Sequence, residues 1–303
     1  MGRVSAALGT VYVVWGSTYL GIMVGIRTMP PLLMSSVRFL LAGAVLFLWG
    51  VRRGGRPDPR GWLAAAIVGT ALLLVGNGGI AWAETRVDSG IAALVVAVVP
   101  IWIALLEWIV LRRRPRRATV AGLVLGLAGV AILVGPGGSV DAVGGTAIVV
   151  ASLAWAGGSL YAQRAPLPSD HLLAAGMQMV AGGALLGVAG AFAGEASQVQ
   201  LPSGASVAAF AYLTVVGSLI AFTAYGWLLR NVSATLVATY AFVNPVVALC
   251  LGALVLSERL TLATLVAGGT IVAAVVLIVT AGPRGARVVA IDREVEAPLE
   301  RAA

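Results

Sequence analysis

A succession of apolar stretches, each about 20 residues long, constrains this chain more than any other feature, because about 20 apolar residues are what a helix needs to cross a bilayer. The sequence is 60% apolar and 11% charged, whereas a soluble domain has roughly 45–50% apolar and about 25% charged residues. The stretches do not alternate as barrel strands do, and isolated strands would leave backbone groups unpaired in lipid. The sequence therefore predicts an all-α membrane protein with about ten transmembrane helices, at 5–26, 32–51, 61–83, 89–111, 118–135, 145–163, 171–194, 206–229, 233–256 and 262–281.

The distribution of arginine predicts the topology. The formal charge of +8 is carried by Arg alone, since the sequence has no Lys. Connections that bear many Arg residues remain in the cytoplasm. With a cytoplasmic N-terminus, the outer loops carry only Arg27, Arg86 and Arg259, and the inner segments carry all the others except Arg38, which lies within a span. We expect a bacterial inner-membrane protein with both termini in the cytoplasm, ending in a disordered tail at 282–303. Because the Arg clusters lie beside apolar runs, they indicate a lipid bilayer and no nucleic acid as the partner. The predicted inner Arg residues are Arg3, Arg52, Arg53, Arg56, Arg60, Arg112, Arg113, Arg114, Arg116, Arg117, Arg164, Arg230, Arg284 and Arg287.

The residues that usually hold metals or cofactors are scarce. A single Cys, Cys250, and a single His, His171, exclude a disulfide framework and a zinc site of the usual Cys/His kind. Glycine-rich stretches such as Gly76–Gly79 follow no strand and precede no Lys, so they favour close helix contacts over a phosphate loop. We therefore expect no metal, no cofactor and no ATP site.

The sequence repeats at an offset of about 145 residues. Trp82 precedes Pro100 by 18 residues, and Trp227 precedes Pro245 by 18 residues. Each copy contains five predicted spans, and an odd number makes the second copy enter the membrane from the opposite side. Inverted repeats of this kind are typical of secondary transporters, whose substrate sites lie at the repeat interface near the midplane.

Several short motifs follow one another in a fixed order along the chain. They are Trp15-Gly16-Ser17-Thr18-Tyr19, Arg38-Phe39, Gly76-Asn77-Gly78-Gly79 with Trp82-Ala83-Glu84, Ser89-Gly90-Ile91-Ala92-Ala93-Leu94 with Val99-Pro100-Ile101-Trp102, and Asn244-Pro245 with Leu256-Ser257-Glu258-Arg259-Leu260-Thr261. In this order and spacing they resemble EamA-type proteins, the ten-helix exporters of the drug/metabolite transporter superfamily. The resemblance implies two EamA-like repeats, 5–135 with helices 1–5 and 145–281 with helices 6–10, and export of amino acids, other small metabolites or drugs. The sequence departs from the family where Glu258 in the second half corresponds to Arg113 in the first.

Arg38 is the sharpest candidate for a site residue. It lies about seven residues into the second span, roughly 10 Å from its outer end by helical rise. A charge at such a depth costs on the order of 3 kcal/mol, so it should face the interior and have a partner. Arg38 either binds a substrate carboxylate or hydrogen-bonds to helix carbonyls and holds the fold. The corresponding residue of the other repeat, Gln178, is neutral.

The remaining candidates surround a predicted central cavity between helices 1, 2, 3, 4, 6, 8 and 9, with helices 5 and 10 outside it. For each aromatic residue of this set, simple packing is the alternative interpretation. Mid-span Pro100 and Pro245 predict kinks or hinges. Besides Arg38, the predicted substrate-binding residues are Trp15, Tyr19, Asn77, Trp102, Trp155, Tyr161, Tyr240 and Asn244.

Two acidic residues complete the candidates. Glu107 lies well inside a span and is a possible proton-coupling carboxylate, or it pairs with the Arg residues one turn away. Glu84 follows the third span and is interpreted as a surface group.

Three classes of function compete on these observations. A secondary transporter of a small molecule, working by rocking of helices around a midplane site, agrees with the repeat. A channel or a structural membrane protein is the alternative. An intramembrane enzyme is disfavoured because few acid, base or nucleophile groups lie inside the spans. The sequence specifies neither the substrate, nor the coupling ion, nor the oligomeric state.

Overall fold

The computed structural model describes residues 2–87, 92, 95–112, 114–134, 141–247 and 262–281, and these residues form helices and connections without a strand. This confirms the all-α class. In our numbering the helices are α1 (Gly2–Gly25), α2 (Pro31–Arg52), α3 (Pro59–Ala83), α4 (Val99–Leu111), α5 (Arg117–Val134), α6 (Ala142–Ala162), α7 (His171–Phe192), α8 (Gly204–Asn231), α9 (Ala234–Val247) and α10 (Leu262–Ala281).

Six of these helices, α1, α2, α3, α6, α7 and α8, are long and apolar enough to cross a membrane. The described parts of the other four give shorter apolar helices, at Val99–Val110, Arg117–Gly129, Ala234–Val247 and Leu265–Ile278. The count of ten spans and their inverted arrangement therefore stay predictions. Arg113, Cys250, Glu258 and the tail 282–303 lie outside the described residues.

Helix starts are defined by local sequence. Asp58, Asp141 and Asp170 each accept a hydrogen bond from a backbone amide of the first helical turn, and Ser203 and Ser233 do the same. Such caps satisfy amides that have no partner within the helix. The boundaries of α3, α6, α7, α8 and α9 therefore follow from short polar residues placed between apolar runs.

Two helices change their winding in the middle. Within α3, Thr70–Gly78 is π-helical, and within α8, Leu213–Phe222 is π-helical as well. Each is the third helix of its half of the chain. A π-helix widens the hydrogen-bonded ring and is often found at functional sites. The mid-span prolines predicted kinks, but no sequence pattern predicted these two π-helical segments.

Glycines bring α2 and α7 into close contact. A Cβ atom added to Gly43 would lie 2.7 Å from the Cβ atom of Met179, and one added to Gly183 would lie 3.0 Å from the backbone nitrogen of Leu40. Only glycine allows the two backbones to approach this closely. The contact fixes the rotation of α2 and turns the side chain of Arg38 into the protein. The helices α5 and α10 pack against each other.

Candidate functional site

A cavity of about 70 Å³ lies between the helices. Its lining residues come from α1, α2, α3, α4 with the preceding Val96, α6, α8 and α9, and none of its described lining residues comes from α5 or α10. Seven of the residues that the sequence predicted lie along it, namely Trp15, Tyr19, Arg38, Asn77, Trp155, Tyr240 and Asn244.

Arg38 supplies the positive charge of the cavity. Its side chain is 3% exposed, and its Nη2 donates a hydrogen bond to Asn77 Oδ1 at 2.8 Å. The guanidinium carbon lies 4.2 Å from the ring centroid of Phe39. No acidic side chain is among the residues described along the cavity. A buried cation with only a neutral amide and a ring beside it attracts an anion strongly.

Four buried polar atoms of cavity-lining residues have no hydrogen-bond partner in the described structure. They are Arg38 Nε, Ser152 Oγ, Ser218 Oγ and Asn244 Oδ1. Buried polar groups in proteins are nearly always paired, and each unpaired one costs about 1–3 kcal/mol. Donors and acceptors that converge unpaired on one cavity are the pattern expected for a site that a polar ligand or water fills.

Aromatic rings form one wall of the cavity. The Trp15 ring centroid lies 5.5 Å from that of Trp155 and 4.9 Å from that of Tyr240. Tyr225 supports this wall from behind, with its ring centroid 4.8 Å from that of Trp15. The Tyr225 hydroxyl accepts a hydrogen bond from Trp155 Nε1 at 2.9 Å and lies 2.6 Å from Ser159 Oγ. These bonds hold the rings in fixed orientations, which suits recognition of a flat apolar group.

A second and much smaller cavity, of about 10 Å³, lies on the other side of this wall. Phe222 lines both cavities, and Tyr225 lines the second. The second cavity also contacts His171, Gln178 and Arg230, so Gln178 does not share a cavity with Arg38. Phe222 and Tyr225 therefore stand between the two spaces.

Some predicted residues lie elsewhere. Trp102 is not among the residues described along the cavity, and its buried Nε1 has no hydrogen-bond partner among the described residues. Tyr161, near the end of α6, is 37% exposed. Pro100 lies in the first turn of α4, directly after a turn at 97–98, where proline costs no helical hydrogen bond. Pro245 lies inside α9 and is buried.

Of the two acidic candidates, Glu107 and Glu84, the structure contradicts the expectation for Glu84. Glu107 accepts a hydrogen bond from Thr235 Oγ1 at 2.9 Å, and its coupling role stays a prediction. The interpretation of Glu84 as a surface group is wrong, because both of its carboxylate oxygens are buried and have no hydrogen-bond partner among the described residues. Position at the end of a span suggested exposure, but packing of the neighbouring helices covers the carboxylate.

Some cavity residues that carry small hydroxyl groups or lie in the π-helical segments were not predicted from the sequence. Deep serines are frequent in membrane helices, so Ser152 and Ser218 gave no distinctive signal. The missed lining residues with polar groups or a separating role are Thr18, Ser152, Ser218 and Phe222, and the supporting residue is Tyr225.

Comparison with known proteins adds the family. Residues 4–135 and 142–280 each match the EamA-like transporter family. The chain is 42% identical over 276 residues to "Uncharacterized inner membrane transporter YedA" of Escherichia coli (strain K12), covering 90% of this chain and 89% of that protein. It is 28% identical over 276 residues to "Protein PecM" of Dickeya dadantii, covering 88% of each. A solved crystal structure with 22% sequence identity shares the fold, with a TM-score of 0.75 over 91% of this chain and 97% of that chain. The chain therefore belongs to the EamA-like transporter family.

Proposed function

We propose that this protein is a secondary transporter of the bacterial inner membrane that exports small metabolites bearing a carboxylate, amino acids and related compounds among them. It consists of ten spans in two inverted five-helix repeats, 5–135 and 145–281, and works by alternating access around the central cavity. The family membership and the name of the YedA relative support transport across the inner membrane.

The observation that carries the substrate class is the buried guanidinium of Arg38. Its Nε lacks a partner, and no described acidic side chain lines the same cavity. Arg presents a planar fork that binds a carboxylate with two parallel hydrogen bonds. Trp15, Trp155 and Tyr240 offer an apolar, aromatic surface to the rest of the substrate. Charge and shape together favour a small organic anion with an apolar body.

The path through the protein is closed at the aromatic wall. Phe222 lines both cavities and Tyr225 lines the second, so a substrate that reaches Arg38 from that side has to pass both side chains. Phe222 is the last residue of the π-helical segment of α8. Rewinding this segment to α-helix would rotate Phe222 relative to the cavity, and Pro100 and Pro245 are proposed hinges for the same motion. The pair α5 and α10 would serve as an outer support.

Reconstituted counterflow tests the proposal. Proteoliposomes loaded with unlabelled amino acids are given radiolabelled amino acids outside, and uptake is measured for the wild type and for Arg38→Ala, Arg38→Gln and Arg38→Lys. We expect saturable counterflow in the wild type and at least a tenfold loss in Ala and Gln. Lys should also be impaired because it cannot form the bidentate contact. Arg27→Ala is the matched control, because Arg27 is exposed.

The outcomes separate the alternatives. Normal counterflow through a well-folded Arg38→Ala variant would contradict the binding role. Loss of the folded protein from the membrane in all three variants would instead assign Arg38 to the fold. Flux that does not saturate and shows no counterflow in the wild type would indicate a channel.

A further inference from the structure

Glu84 is a buried carboxylate that the proposed substrate site does not use. It directly follows Ala83, the last residue of α3, at the end of the bundle opposite the connection that carries Arg52 and Arg60. Both carboxylate oxygens are shielded from solvent and have no hydrogen-bond partner among the described residues. Glu84 also forms no ion pair with any residue that the structure describes. A carboxylate at the end of a span would ordinarily be hydrated, so this burial requires an explanation.

None of the charged or titratable groups described around Glu84 pairs with its carboxylate. The end of α3 packs against α2 and α6. On α2, the buried charged residue is Arg38, which donates a hydrogen bond to Asn77. At the start of α6, the charged residue is the capping Asp141, which accepts a hydrogen bond from Gly144 N. The other groups are Arg86, whose guanidinium carbon lies 4.8 Å from the Trp82 ring centroid, the exposed Arg27, and Asp88, which is outside the described residues.

Glu84 is connected to the cavity through α1. It lies within electrostatic range of the Tyr19 hydroxyl, and that hydroxyl interacts with the side chain of Asn244. Both Tyr19 and Asn244 line the central cavity. A change of charge at Glu84 is therefore felt by groups that touch the substrate space.

Burial without a partner decides the protonation state. An ionised carboxylate without water or a cation is strongly destabilised, so the neutral acid is favoured. Glu84 lies one residue beyond the membrane-spanning segment, and desolvation raises the pKa of its carboxyl to about 8. Below that pH the carboxyl of Glu84 is neutral and the observed packing around it is stable. Above that pH the carboxylate ionises, which favours an arrangement in which water reaches it.

We propose that Glu84 is the proton-binding residue of the transport cycle, which makes the proposed transport proton-coupled. Glu84 binds a proton from water and carries it, as a neutral carboxylic acid, through the closed conformation described here. The proton is taken up when that end of the bundle opens to water, and it is released when water reaches the group from the opposite side, so the proton crosses the membrane during the cycle. No other bond forms or breaks, and one proton enters for each proton released. The inference rests on the proposed transport function.

Infrared titration of the full-length protein in lipid nanodiscs tests proton binding without any substrate. Spectra are recorded from pH 5 to pH 9 for the wild type, Glu84→Gln and Glu107→Gln. The wild type should show the carbonyl stretch of a protonated carboxyl that disappears near pH 8, and Glu84→Gln should lack this band while Glu107→Gln keeps it. An unchanged band in Glu84→Gln, or a wild-type titration near the ordinary glutamate value of about 4.3, would overturn the proposal.

Flux measurements test the coupling, with radiolabelled amino acids as probes in proteoliposomes under an imposed pH gradient. The gradient should drive accumulation of the labelled amino acid in the wild type. In Glu84→Gln this accumulation should be at least tenfold lower, and exchange should no longer depend on pH. The same loss in Glu107→Gln but not in Glu84→Gln would move the coupling to Glu107 and overturn the assignment. Wild-type exchange without gradient-driven accumulation would overturn proton coupling and leave the transport function standing. Absence of exchange would overturn the transport function, and the infrared titration would still decide proton binding. Should Glu84→Gln fail to fold, Glu84→Asp, with a shorter carboxyl, should shift the titration midpoint.

Discussion

Replacing Asn77 by Asp places a carboxylate where the amide now contacts Arg38. Asn77 Oδ1 lies 2.8 Å from Arg38 Nη2, so the new carboxylate would form an ion pair with the guanidinium at contact distance. Two unit charges about 4 Å apart attract by about 4 kcal/mol at an effective dielectric constant of about 20. A substrate anion would have to compete with this partner. We expect its binding to weaken by about 2–4 kcal/mol, which is roughly 30- to 1000-fold in Kd.

The counterflow assay with radiolabelled amino acids measures this effect as an increase in KM for Asn77→Asp. Asn77→Ala is the matched comparison, because it removes the hydrogen bond but leaves the charge of Arg38 available. Its KM should change far less than that of the Asp variant. Protein quantity and folding are checked by size-exclusion chromatography of the detergent-solubilised variants. If Asn77→Asp folds normally and keeps the wild-type KM, Arg38 does not bind an anionic substrate group.

Three further predictions concern the fold. Glu195 accepts hydrogen bonds from two backbone amides at the start of α2, at 3.2 and 2.8 Å, so Glu195→Gln should lower the free energy of unfolding by about 1–2 kcal/mol; thermal unfolding in detergent measures this, and an unchanged midpoint would contradict it. Gly176→Leu should drive α2 and α7 apart and eliminate the folded protein, whereas Gly157→Leu should be tolerated because a Cβ atom at Gly157 would meet nothing within 4 Å; size-exclusion profiles compare the two, and equal profiles would count against the packing. A reporter that is active only outside the cytoplasm, fused after Ala281, should stay inactive, and strong activity would overturn the predicted topology.

Much of the helical framework could be predicted from the sequence because hydropathy is a local property. Apolar runs separated by Asp58, Asp141 and Asp170 predict where α3, α6 and α7 begin, since a short polar residue both ends a run and caps a helix. The depth of Arg38 in its span likewise predicted an inward-facing side chain, because a cation facing lipid would be too costly. The structure places it at 3% exposure beside Asn77.

Other features depend on how the helices are rotated and packed, which no local pattern specifies. Tyr161 and Tyr225 are both tyrosines near helix ends, yet Tyr161 is 37% exposed and Tyr225 is buried behind the aromatic wall, because the rotation of each helix decides which face points inward. Pro100 lies in the first turn of α4, directly after a turn at 97–98 that interrupts the predicted span, and its role as a hinge stays a prediction.

The sequence by itself determined that this chain is a helical membrane protein with its main buried cation at Arg38, because the cost of placing polar groups in lipid acts residue by residue. Only the tertiary structure decided that Arg38, Ser152, Ser218 and Asn244 contribute unpaired polar atoms around one cavity, and that the oxygens of Glu84 are covered. Both outcomes depend on contacts between helices far apart in the chain. Such contacts follow from the close approach of backbones at glycines such as Gly43 and from the π-helical segments of α3 and α8. Neither feature can be derived from the hydropathy of a single segment.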